Sequence, residues 1–299
     1  MFTVKVPATT ANMGPGFDCI GMSLDLYNTI TIEEIPQGLE IIIKNPQDIE
    51  IPTDETNLIY QTIVQFYQSI GKTVPGIRLV QEDHIPCTRG LGSSAACIAA
   101  GLLIANKLAG TNYSKEKLAK LGAIMEGHPD NIVPAFLGGM VTAVLDKDEL
   151  HYIKIPLPSQ LSFALLVPDF PLSTEKARQV IPKSLSLEDG IYNASRTALL
   201  VASMMSGEIQ HLQVAMEDRF HQPYRIPLVP HMEDIFEKAL SLGAKGVFLS
   251  GAGPTLIAVI EEEMNFKKKI TPFLQQLPRR WDIKIVKPSQ QGAQIQEFH

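Results

Sequence analysis

The sequence contains few cysteines and no long apolar run. Its three cysteines form no C-x-x-C pair, and so sparse and odd a number is typical of a reducing compartment. The longest apolar stretch, 95–105, is shorter than the roughly 20 residues that a membrane-spanning helix needs. Lys5 and Pro7 are followed by no apolar core of the kind that defines a signal peptide. We therefore expect a cytoplasmic protein that does not bind membranes.

The sequence also lacks an excess of positive charge. It has 26 Lys and Arg against 32 Asp and Glu, a formal net charge of -6, which argues against a nucleic-acid partner. An anionic substrate must therefore be bound by local positive charge and helix N-termini. The content of 45% hydrophobic and 19% charged residues is that of a globular protein, and 299 residues suffice for one large or two ordinary domains.

The most informative stretch is 86–96, where two glycines and two serines lead into an apolar, alanine-rich run. That run, 95–108, predicts a helix that begins at the serines. A helix N-terminus presents N–H groups without backbone partners and a partial positive charge. Glycines in front of it let an anion approach the backbone closely. We therefore predict a phosphate-binding loop over this stretch.

Two other phosphate-binding patterns fit less well. Gly90-x-Gly92-x-x-Ala95 matches the loose dinucleotide fingerprint, but no buried strand leads directly into it, and the acidic residue expected about 20 residues further on is missing. The run 71–73 looks like the end of a Walker A motif, but Phe66 stands where that motif requires glycine. A glycine that stops a helix, followed by an exposed lysine, explains that run.

The order of elements predicts an α+β fold with two layered domains, because strands and helices are mixed without regular alternation. Ser114 and Gly127 bound one helix as its N-cap and its stop. Prolines at 156 and 158 mark a domain boundary. The predicted strands are 2–6, 27–33, 39–44, 138–144, 161–167, 247–249 and 256–260, and the predicted helices are 57–70, 95–108, 114–126, 190–205 and 231–242.

Three motifs resemble those of the GHMP kinases, the family of galactokinase, homoserine kinase, mevalonate kinase and phosphomevalonate kinase. They are 7–18 near the N-terminus, 86–96 in the centre and 249–255 near the C-terminus. Within the family, the Asn-x-Gly-Pro-Gly-Phe-Asp run of the first motif is similar to that of homoserine kinases. So are the runs 126–131, 173–178 and 221–225. The resemblance extends from residue 4 to about residue 260.

This resemblance implies a two-domain GHMP kinase fold. Its N-terminal domain, 1–155, would contain a left-handed β-α-β unit, its C-terminal domain, 156–299, would be ferredoxin-like, and the site would lie between them. It also implies transfer of a phosphoryl group from ATP, with Mg²⁺, to L-homoserine, giving O-phospho-L-homoserine for threonine biosynthesis. We expect a homodimer. The alternatives are another small-molecule kinase of the family, of the mevalonate type, and a non-catalytic nucleotide-binding relative.

The resemblance assigns the central motif to ATP, with Asn57 as a candidate adenine contact and the 251–255 turn packed against the loop. Ser94 and Glu126 are the implied Mg²⁺ ligands. A carboxylate in the last turn of a helix faces the negative end of the macrodipole, so Glu126 is either solvated or paired with a cation. The residues expected at the nucleotide are Pro86, Cys87, Thr88, Arg89, Gly90, Leu91, Gly92, Ser93, Ser94, Ala95 and Ala96.

The residues implied at the transferred phosphoryl group are Asn131, Asp130 and Thr174. Asn131 would position the acceptor hydroxyl, and Thr174 would hydrogen-bond the transferring phosphate. Asp130 is either a catalytic base, as in some relatives, or is not needed as one, because the substrate could lose its proton directly to the phosphate. Phosphoryl transfer depends on positioning and charge stabilisation more than on a strong base.

L-homoserine is a zwitterion, so its site needs a carboxylate clamp and an ammonium acceptor. Arg178 and Arg225 suit the carboxylate, because a guanidinium binds it with two parallel hydrogen bonds. Asn12 and Asp18 suit the ammonium group, and His128 would line the same pocket beside the acceptor-positioning asparagine. Taken singly, each also fits an ordinary structural role, namely an exposed arginine, an Asx turn or a hydrogen-bonded histidine. Their joint match to the family pattern favours the binding role.

Overall fold

The computed structural model describes residues 1–47, 49–261 and 263–297. Helices pack on two β-sheets. The strands are β1 Phe2–Asn12, β2 Gly16–Glu34, β3 Leu39–Ile43, β4 Ile77–Glu82, β5 Met140–Asp146, β6 Glu149–Ile155, β7 Ser162–Pro168, β8 Gly246–Leu249, β9 Leu256–Ile260, β10 Trp281–Val286 and β11 Gln294–Glu297. The helices are α1 Leu58–Ser69, α2 Ser93–Ala109, α3 Lys115–Glu126, α4 Ile132–Leu137, α5 Thr174–Gln179, α6 Leu187–Ser206, α7 Leu212–Ala215, α8 Gln222–Arg225, α9 Met232–Ser241 and α10 Glu263–Leu274.

The first sheet has seven strands and is built on a long antiparallel hairpin of β1 and β2. Val4 faces Ile30 in this hairpin, and the chain reverses between Asn12 and Gly16. β11 flanks β1 on its other side, while β4 and then β3 extend the sheet beyond β2. The β5–β6 hairpin pairs with β2 near the reversal. β3 and β4 are parallel neighbours connected through α1, and they form a β-α-β unit.

The helix α2 carries the glycine-rich loop and lies at the centre of this domain. It packs on β1 and on α1, α3 and α4. Ten of its residues between Ala95 and Ala105 are buried, as expected for a helix that is apolar on all sides. A Cβ at Gly101 would lie 2.6 Å from the Cβ of Thr62, so glycine at this position allows α1 and α2 to touch.

The second sheet has four strands in the order β10-β7-β9-β8, and every neighbouring pair is antiparallel. Helices connect β7 to β8 and β9 to β10, whereas β8 and β9 follow each other directly. This is the β-α-β-β-α-β arrangement of a ferredoxin-like domain. The ferredoxin-like C-terminal domain implied by the family resemblance is therefore confirmed.

The chain passes from the first sheet to the second between β6 and β7, and it returns at its end. Glu297 in β11 faces Phe2 in β1, so this last strand belongs to the first sheet, although the sequence-based limits assign it to the second domain. One apolar core also includes residues of both sheets, such as Val6 and Phe163. The limits 1–155 and 156–299 remain a prediction. None of the helices in the described ranges combines the length and the apolar character needed to cross a bilayer.

Candidate active site

A cavity of about 490 Å³ lies where the two sheets and α2 meet. Most of the residues singled out in the sequence line it. They are Asn12, Asp18, Asn57, Cys87, Thr88, Arg89, Gly90, Gly92, Ser93, Ser94, Glu126, His128, Asp130, Asn131, Thr174, Arg178 and Arg225. Of the remaining predicted residues, Leu91, Ala95 and Ala96 lie in the apolar core, and Pro86 faces a separate cleft.

The glycine-rich loop ends at the N-terminus of α2, as predicted. Gly92 is the N-cap residue, with φ 67, and within the described chain no side chain caps this helix end. The first-turn N–H groups are therefore available to an anion. A Cβ at Gly92 would lie 1.8 Å from Thr9 Oγ1, and one at Gly90 would lie 2.3 Å from the carbonyl oxygen of Ser250. Both positions require glycine because the loop is packed tightly against its surroundings.

The 249–255 turn holds this loop from the second domain. The hydroxyl of Ser250 donates to the carbonyl oxygen of Gly90 at 2.6 Å. The N–H of Thr255 donates to the carbonyl oxygen of Arg89 at 3.2 Å. The turn thus packs against the phosphate loop and fixes its shape, the supporting role expected from the sequence.

The carboxylate of Glu126 lies at the C-terminal end of α3 and faces the cavity. Its Oε2 is buried and has no hydrogen-bond partner among the described residues. Burial raises the pKa of this carboxyl to about 7, and the nearby charge of Asp130 acts in the same direction. Carboxylate and hydroxyl oxygens are the ligands that Mg²⁺ prefers, and Ser94 lines the same cavity. These two residues therefore fit a divalent cation.

Another group with metal-ligand chemistry lies nearby, formed by Asp18, His128 and Asp130, whose ligand atoms lie within 4.8 Å of one another. Arg178 donates to both oxygens of Asp18, at 2.7 and 3.0 Å, and His128 Nδ1 lies 2.7 Å from Asp130 Oδ1. These partners occupy the ligand atoms, and the guanidinium repels a cation. The group fits a hydrogen-bonded pocket wall better than a magnesium site.

Asn131 lies between the phosphate loop and the acidic side of the cavity. Its Oδ1 accepts from Thr9 Oγ1 at 2.8 Å, and its Nδ2 donates to Asp130 Oδ1 at 3.3 Å. A Cβ added to Gly92 would approach the same Oδ1 to 3.2 Å, which shows how close the amide lies to the loop. The carboxamide is therefore held in one orientation beside the glycine-rich loop.

His128 and Asp130 form a hydrogen-bonded pair beside this amide. Only 2% of Asp130 is exposed. Burial lowers the pKa of His128, but the hydrogen bond and charge of Asp130 and the charge of Glu126 outweigh burial, and the pKa is raised. The pair therefore favours the protonated form of His128, whose two ring N–H groups can both donate hydrogen bonds.

Asp18 and Arg178 connect the two domains across the cavity. Asp18 is on β2 and Arg178 on α5, and their bidentate contact leaves both side chains about one third exposed, 34% and 38%. Hydrogen bonds from Arg178 to the carboxylate oxygens of Asp18 raise the pKa of the guanidinium. Two residues predicted to bind opposite ends of a zwitterion are thus paired with each other in the structure.

Among the described residues, Arg225 is the largest fully buried side chain, with 1% exposed. Its guanidinium donates to the carbonyl oxygens of Ala177 and Gly251, at 3.0 and 2.9 Å, and to His221 Nδ1 at 3.0 Å. In the described part of the chain no carboxylate lies within salt-bridge distance of it. Burial lowers its pKa to about 10, and the charge of Arg178 adds to the effect. A buried cation with neutral partners indicates an anionic ligand.

Three other predicted residues have further contacts. Asn12 donates to the carbonyl oxygen of Gly251 at 2.9 Å and accepts from the N–H of Asp18 at 3.1 Å, so it also shapes the pocket. Asn57 caps α1, and its side-chain amide donates to Pro52 and Gln81. Both polar atoms of this side chain already have hydrogen-bond partners, so a contact with adenine would need an additional hydrogen bond to one of them. Thr174 is exposed at the start of α5 on the cavity wall.

The apolar end of the cavity was not predicted from the sequence. The segment between β3 and α1 contributes Ile49, Ile51 and Pro52, and Leu58 and Cys97 face them. These side chains form an apolar surface of the kind that a flat heterocyclic base requires. The signal in the sequence is weak, because two isoleucines and a proline in a loop match no motif.

The comparisons agree with this geometry. The model of the GHMP kinase N-terminal domain matches residues 57–139, and that of the C-terminal domain matches residues 200–275. A homoserine kinase from Caldicellulosiruptor saccharolyticus is 45% identical over 300 aligned positions, which cover 99% of this chain and 96% of that protein. The crystal structure of homoserine kinase from Cytophaga hutchinsonii superposes with a TM-score of 0.84 at 27% identity and covers 98% of this chain and 96% of that one.

A crystal structure of L. major mevalonate kinase with R-mevalonate superposes with a TM-score of 0.74 at 15% identity and covers 95% of each chain. At that identity the likeness concerns the fold alone. The residues matched by the two family models line opposite sides of the cavity. The relative from Caldicellulosiruptor saccharolyticus shares nearly half of its residues with this protein over almost the full length. The chain belongs to the GHMP kinase family.

Proposed function

We propose that the protein transfers the γ-phosphoryl group of ATP to the hydroxyl of L-homoserine, forming O-phospho-L-homoserine as a step of threonine biosynthesis. The observation that carries this proposal is Arg225, a buried guanidinium without a carboxylate partner, in the same cavity as an uncapped, glycine-rich helix N-terminus. The cavity therefore suits two anionic groups, one of them a polyphosphate. The relatives named homoserine kinase support the choice of acceptor.

The nucleotide would lie along the loop and α2. The N–H groups that follow Gly92 receive the phosphates, while the apolar end of the cavity takes the base. Ser94 and Glu126 would hold Mg²⁺, which when bound neutralises charge that develops on the phosphate oxygens. The buried, unpaired Oε2 of Glu126 supports this assignment.

The acceptor would lie on the opposite wall. Arg225 and Arg178 bind its carboxylate, and Asp18, with Asn12 behind it, binds its ammonium group. This exchanges the ion pair of Asp18 with Arg178 for two pairs with the substrate. The hydroxyl then points toward Asn131, whose amide is oriented by Thr9.

The proton of the hydroxyl has two possible acceptors, the transferring phosphate and Asp130. Oδ1 of Asp130 already receives hydrogen bonds from His128 and Asn131. These contacts favour a role for Asp130 in holding its neighbours, with direct transfer of the proton to the phosphate. Thr174 would add a hydrogen bond to the transferring group.

The direct test is a coupled assay of ADP release with ATP and Mg²⁺ and a panel of L-homoserine, L-serine, L-threonine and mevalonate. We expect L-homoserine to have the highest kcat/KM by at least about tenfold, because each 1.4 kcal/mol of differential binding is one decade. A preference for mevalonate, or ATP binding without turnover of any alcohol, would refute the proposal. Gel filtration tests the expected homodimer, and cell fractionation tests the cytoplasmic location.

The arginines provide a second test. Replacing Arg178 or Arg225 by Leu should lower kcat/KM for L-homoserine at least about tenfold, because a charge-assisted pair contributes roughly 1.5–3 kcal/mol. The KM for ATP should change little. With a neutral ester of homoserine the loss should shrink, since that substrate offers no carboxylate. Arg279→Leu, at an exposed position away from the cavity, is the matched control, and equal losses for acid and ester would contradict the assignment.

A further inference from the structure

Two buried polar side chains, Asp218 and His221, hold the guanidinium of Arg225 in place. We call these two residues the arginine support. Oδ2 of Asp218 accepts from the N–H groups of His221 and Gln222 at 2.9 and 2.7 Å, and Oδ1 accepts from that of Phe220 at 2.8 Å. The side chain of Asp218 is fully buried. This carboxylate fixes the start of α8, the short helix that ends at Arg225.

His221 lies between Arg225 and the β1–β2 reversal. Its Nδ1 is 3.0 Å from Arg225 Nη1, and its Nε2 is 2.9 Å from the carbonyl oxygen of Gly14. A guanidinium can only donate hydrogen bonds, so Nδ1 must accept and Nε2 must carry the proton. Burial lowers the pKa of His221 to about 4, and the imidazole is therefore neutral at neutral pH, in one tautomer.

The same imidazole fixes the segment that carries the acidic side of the pocket. The His221 side chain is fully buried, and its ring stacks on that of Phe17 with 5.2 Å between ring centroids. Asp18 follows directly in the chain. One ring therefore sets the position of Arg225 relative to Asp18, the groups proposed to bind opposite ends of the substrate.

The charge of the partner matters as much as its position. All three acceptors of Arg225 in the described chain are uncharged: two carbonyl oxygens and an imidazole nitrogen. The carboxylate of Asp218 lies 3.5 Å from His221 Nε2, the ring nitrogen that does not contact Arg225. It already accepts hydrogen bonds from backbone N–H groups. The positive charge of Arg225 is therefore oriented by the protein and left for a ligand to neutralise.

We propose that His221 is a positioning residue whose neutral imidazole orients Arg225 toward the substrate carboxylate without neutralising it. This proposal rests on the proposed function. A carboxylate in place of the imidazole would hold the guanidinium equally well but would compete with the substrate. Without an acceptor at this point, the guanidinium would keep only its bonds to the carbonyl oxygens of Ala177 and Gly251 and would be oriented less firmly.

Two isosteric variants separate these effects. In His221→Asn, the amide oxygen can occupy the place of Nδ1, whereas in His221→Asp a carboxylate occupies it; both lose the bond to Gly14 equally. We expect the KM for L-homoserine to be at least about tenfold higher in His221→Asp than in His221→Asn, since hydrogen bonds to charged groups contribute on that scale. The KM for ATP should agree within about twofold between them.

In a third variant, His221→Gln, the side-chain amide nitrogen can occupy the place of Nε2. This variant keeps the hydrogen bond to the carbonyl oxygen of Gly14 but offers no acceptor to Arg225 in place of Nδ1. It should raise the KM for L-homoserine above that of His221→Asn, and it provides the test if His221→Asp does not fold. Equal KM values for L-homoserine in the Asn variant and in the folded Asp or Gln variant would overturn the proposal. So would parallel changes in the KM for ATP, which indicate a merely structural role. Turnover of L-homoserine by the unmodified protein is measured first, and its absence would refute the proposed function instead.

Discussion

At the scale of single residues, the buried carboxyl of Glu126 makes stability depend on pH. Its pKa is raised from 4.5 to about 7, so the folded protein binds one more proton than the unfolded chain between these values. The contribution of this group to stability is therefore complete below pH 4.5 and is lost as the pH rises through 7. Metal-free protein should unfold more easily at pH 8.5 than the same protein without this carboxylate.

We expect Glu126→Gln to stabilise the metal-free protein by roughly 1–3 kcal/mol at pH 8.5 and to have little effect at pH 4.5, as measured by urea unfolding. The same substitution should reduce turnover, because a proposed ligand of Mg²⁺ is removed. Glu116→Gln at the exposed start of the same helix is the control: its pKa is lowered by backbone hydrogen bonds, so its removal should not stabilise. An unchanged stability of Glu126→Gln at pH 8.5 would contradict the burial argument.

Asp130 offers a second prediction at this scale. If its carboxylate holds His128 and Asn131 and does not act as the base, Asp130→Asn should retain measurable activity. The loss in kcat should stay below about 10⁴-fold, the upper range for general acid–base catalysis. Steady-state kinetics with homoserine measures the loss, and ATP binding by the variant confirms that it is folded. Complete inactivity of a folded, ATP-binding variant would show that Asp130 is the base.

The sequence predicts which residues line the cavity better than it predicts how they are held. Motifs single out Asp18, Arg178 and Arg225, and all three line the cavity. The pairing of Asp18 with Arg178 and the neutral surroundings of Arg225 were not predictable, because they depend on groups up to 160 positions apart in the chain. The tautomer of His221 likewise follows only from its two partners in the folded protein.

At the scale of elements, the two glycines that bound α2 allow a matched comparison. Gly92 and Gly110 have nearly the same backbone angle, φ 67 and φ 66. A Cβ at Gly110 meets no described atom within 4 Å, whereas one at Gly92 would collide with Thr9 Oγ1. Substitution by alanine therefore produces the same backbone strain at both ends and a steric conflict at only one.

We expect Gly110→Ala to destabilise the protein by about 1–2 kcal/mol, the energy of the left-handed conformation, with unchanged kcat/KM. Gly92→Ala should destabilise it more and should also lower kcat/KM by at least about tenfold, because Thr9 orients Asn131. Thermal unfolding and steady-state kinetics measure the two effects. Equal activity of the two variants would show that the phosphate loop tolerates displacement.

Elements with local signals were predicted well. The cap Ser114 and the stop Gly127 gave the bounds of α3, and the predicted strand 256–260 coincides with β9. The long strand β2 was predicted only in its second half, because its first half contains glycine, aspartate and cysteine and is a strand through pairing with β1 and β5. The helix α10 was missed, since a proline in its last turn interrupts the helical pattern.

At the scale of the whole molecule, the C-terminal strand β11 should contribute to stability without contributing to the site. A chain that ends after Ala293 loses the pairing of β11 with β1 and the ion pair of Glu297 with Lys107. We expect Tm to fall by roughly 3–10 °C, which corresponds to a loss of about 1–3 kcal/mol. Below that temperature kcat/KM should be unchanged, because the cavity contains no residue of β11.

The control is Glu297→Gln, which removes an exposed ion pair worth less than about 1 kcal/mol and keeps the strand. If the truncated chain were as stable as the full one, β11 would be a passive extension of the sheet. If the truncated chain lost activity at low temperature, the first sheet would be coupled to the cavity through its edge.

The return of the chain to its first strand also has a consequence for synthesis. The ribosome makes β1 before β11, and segments made earlier generally fold before the chain is complete. Until β11 is made, the outer edge of β1 is an unpaired strand edge, the kind of surface that templates aggregation. A chain whose synthesis stops before residue 294 therefore carries that edge exposed.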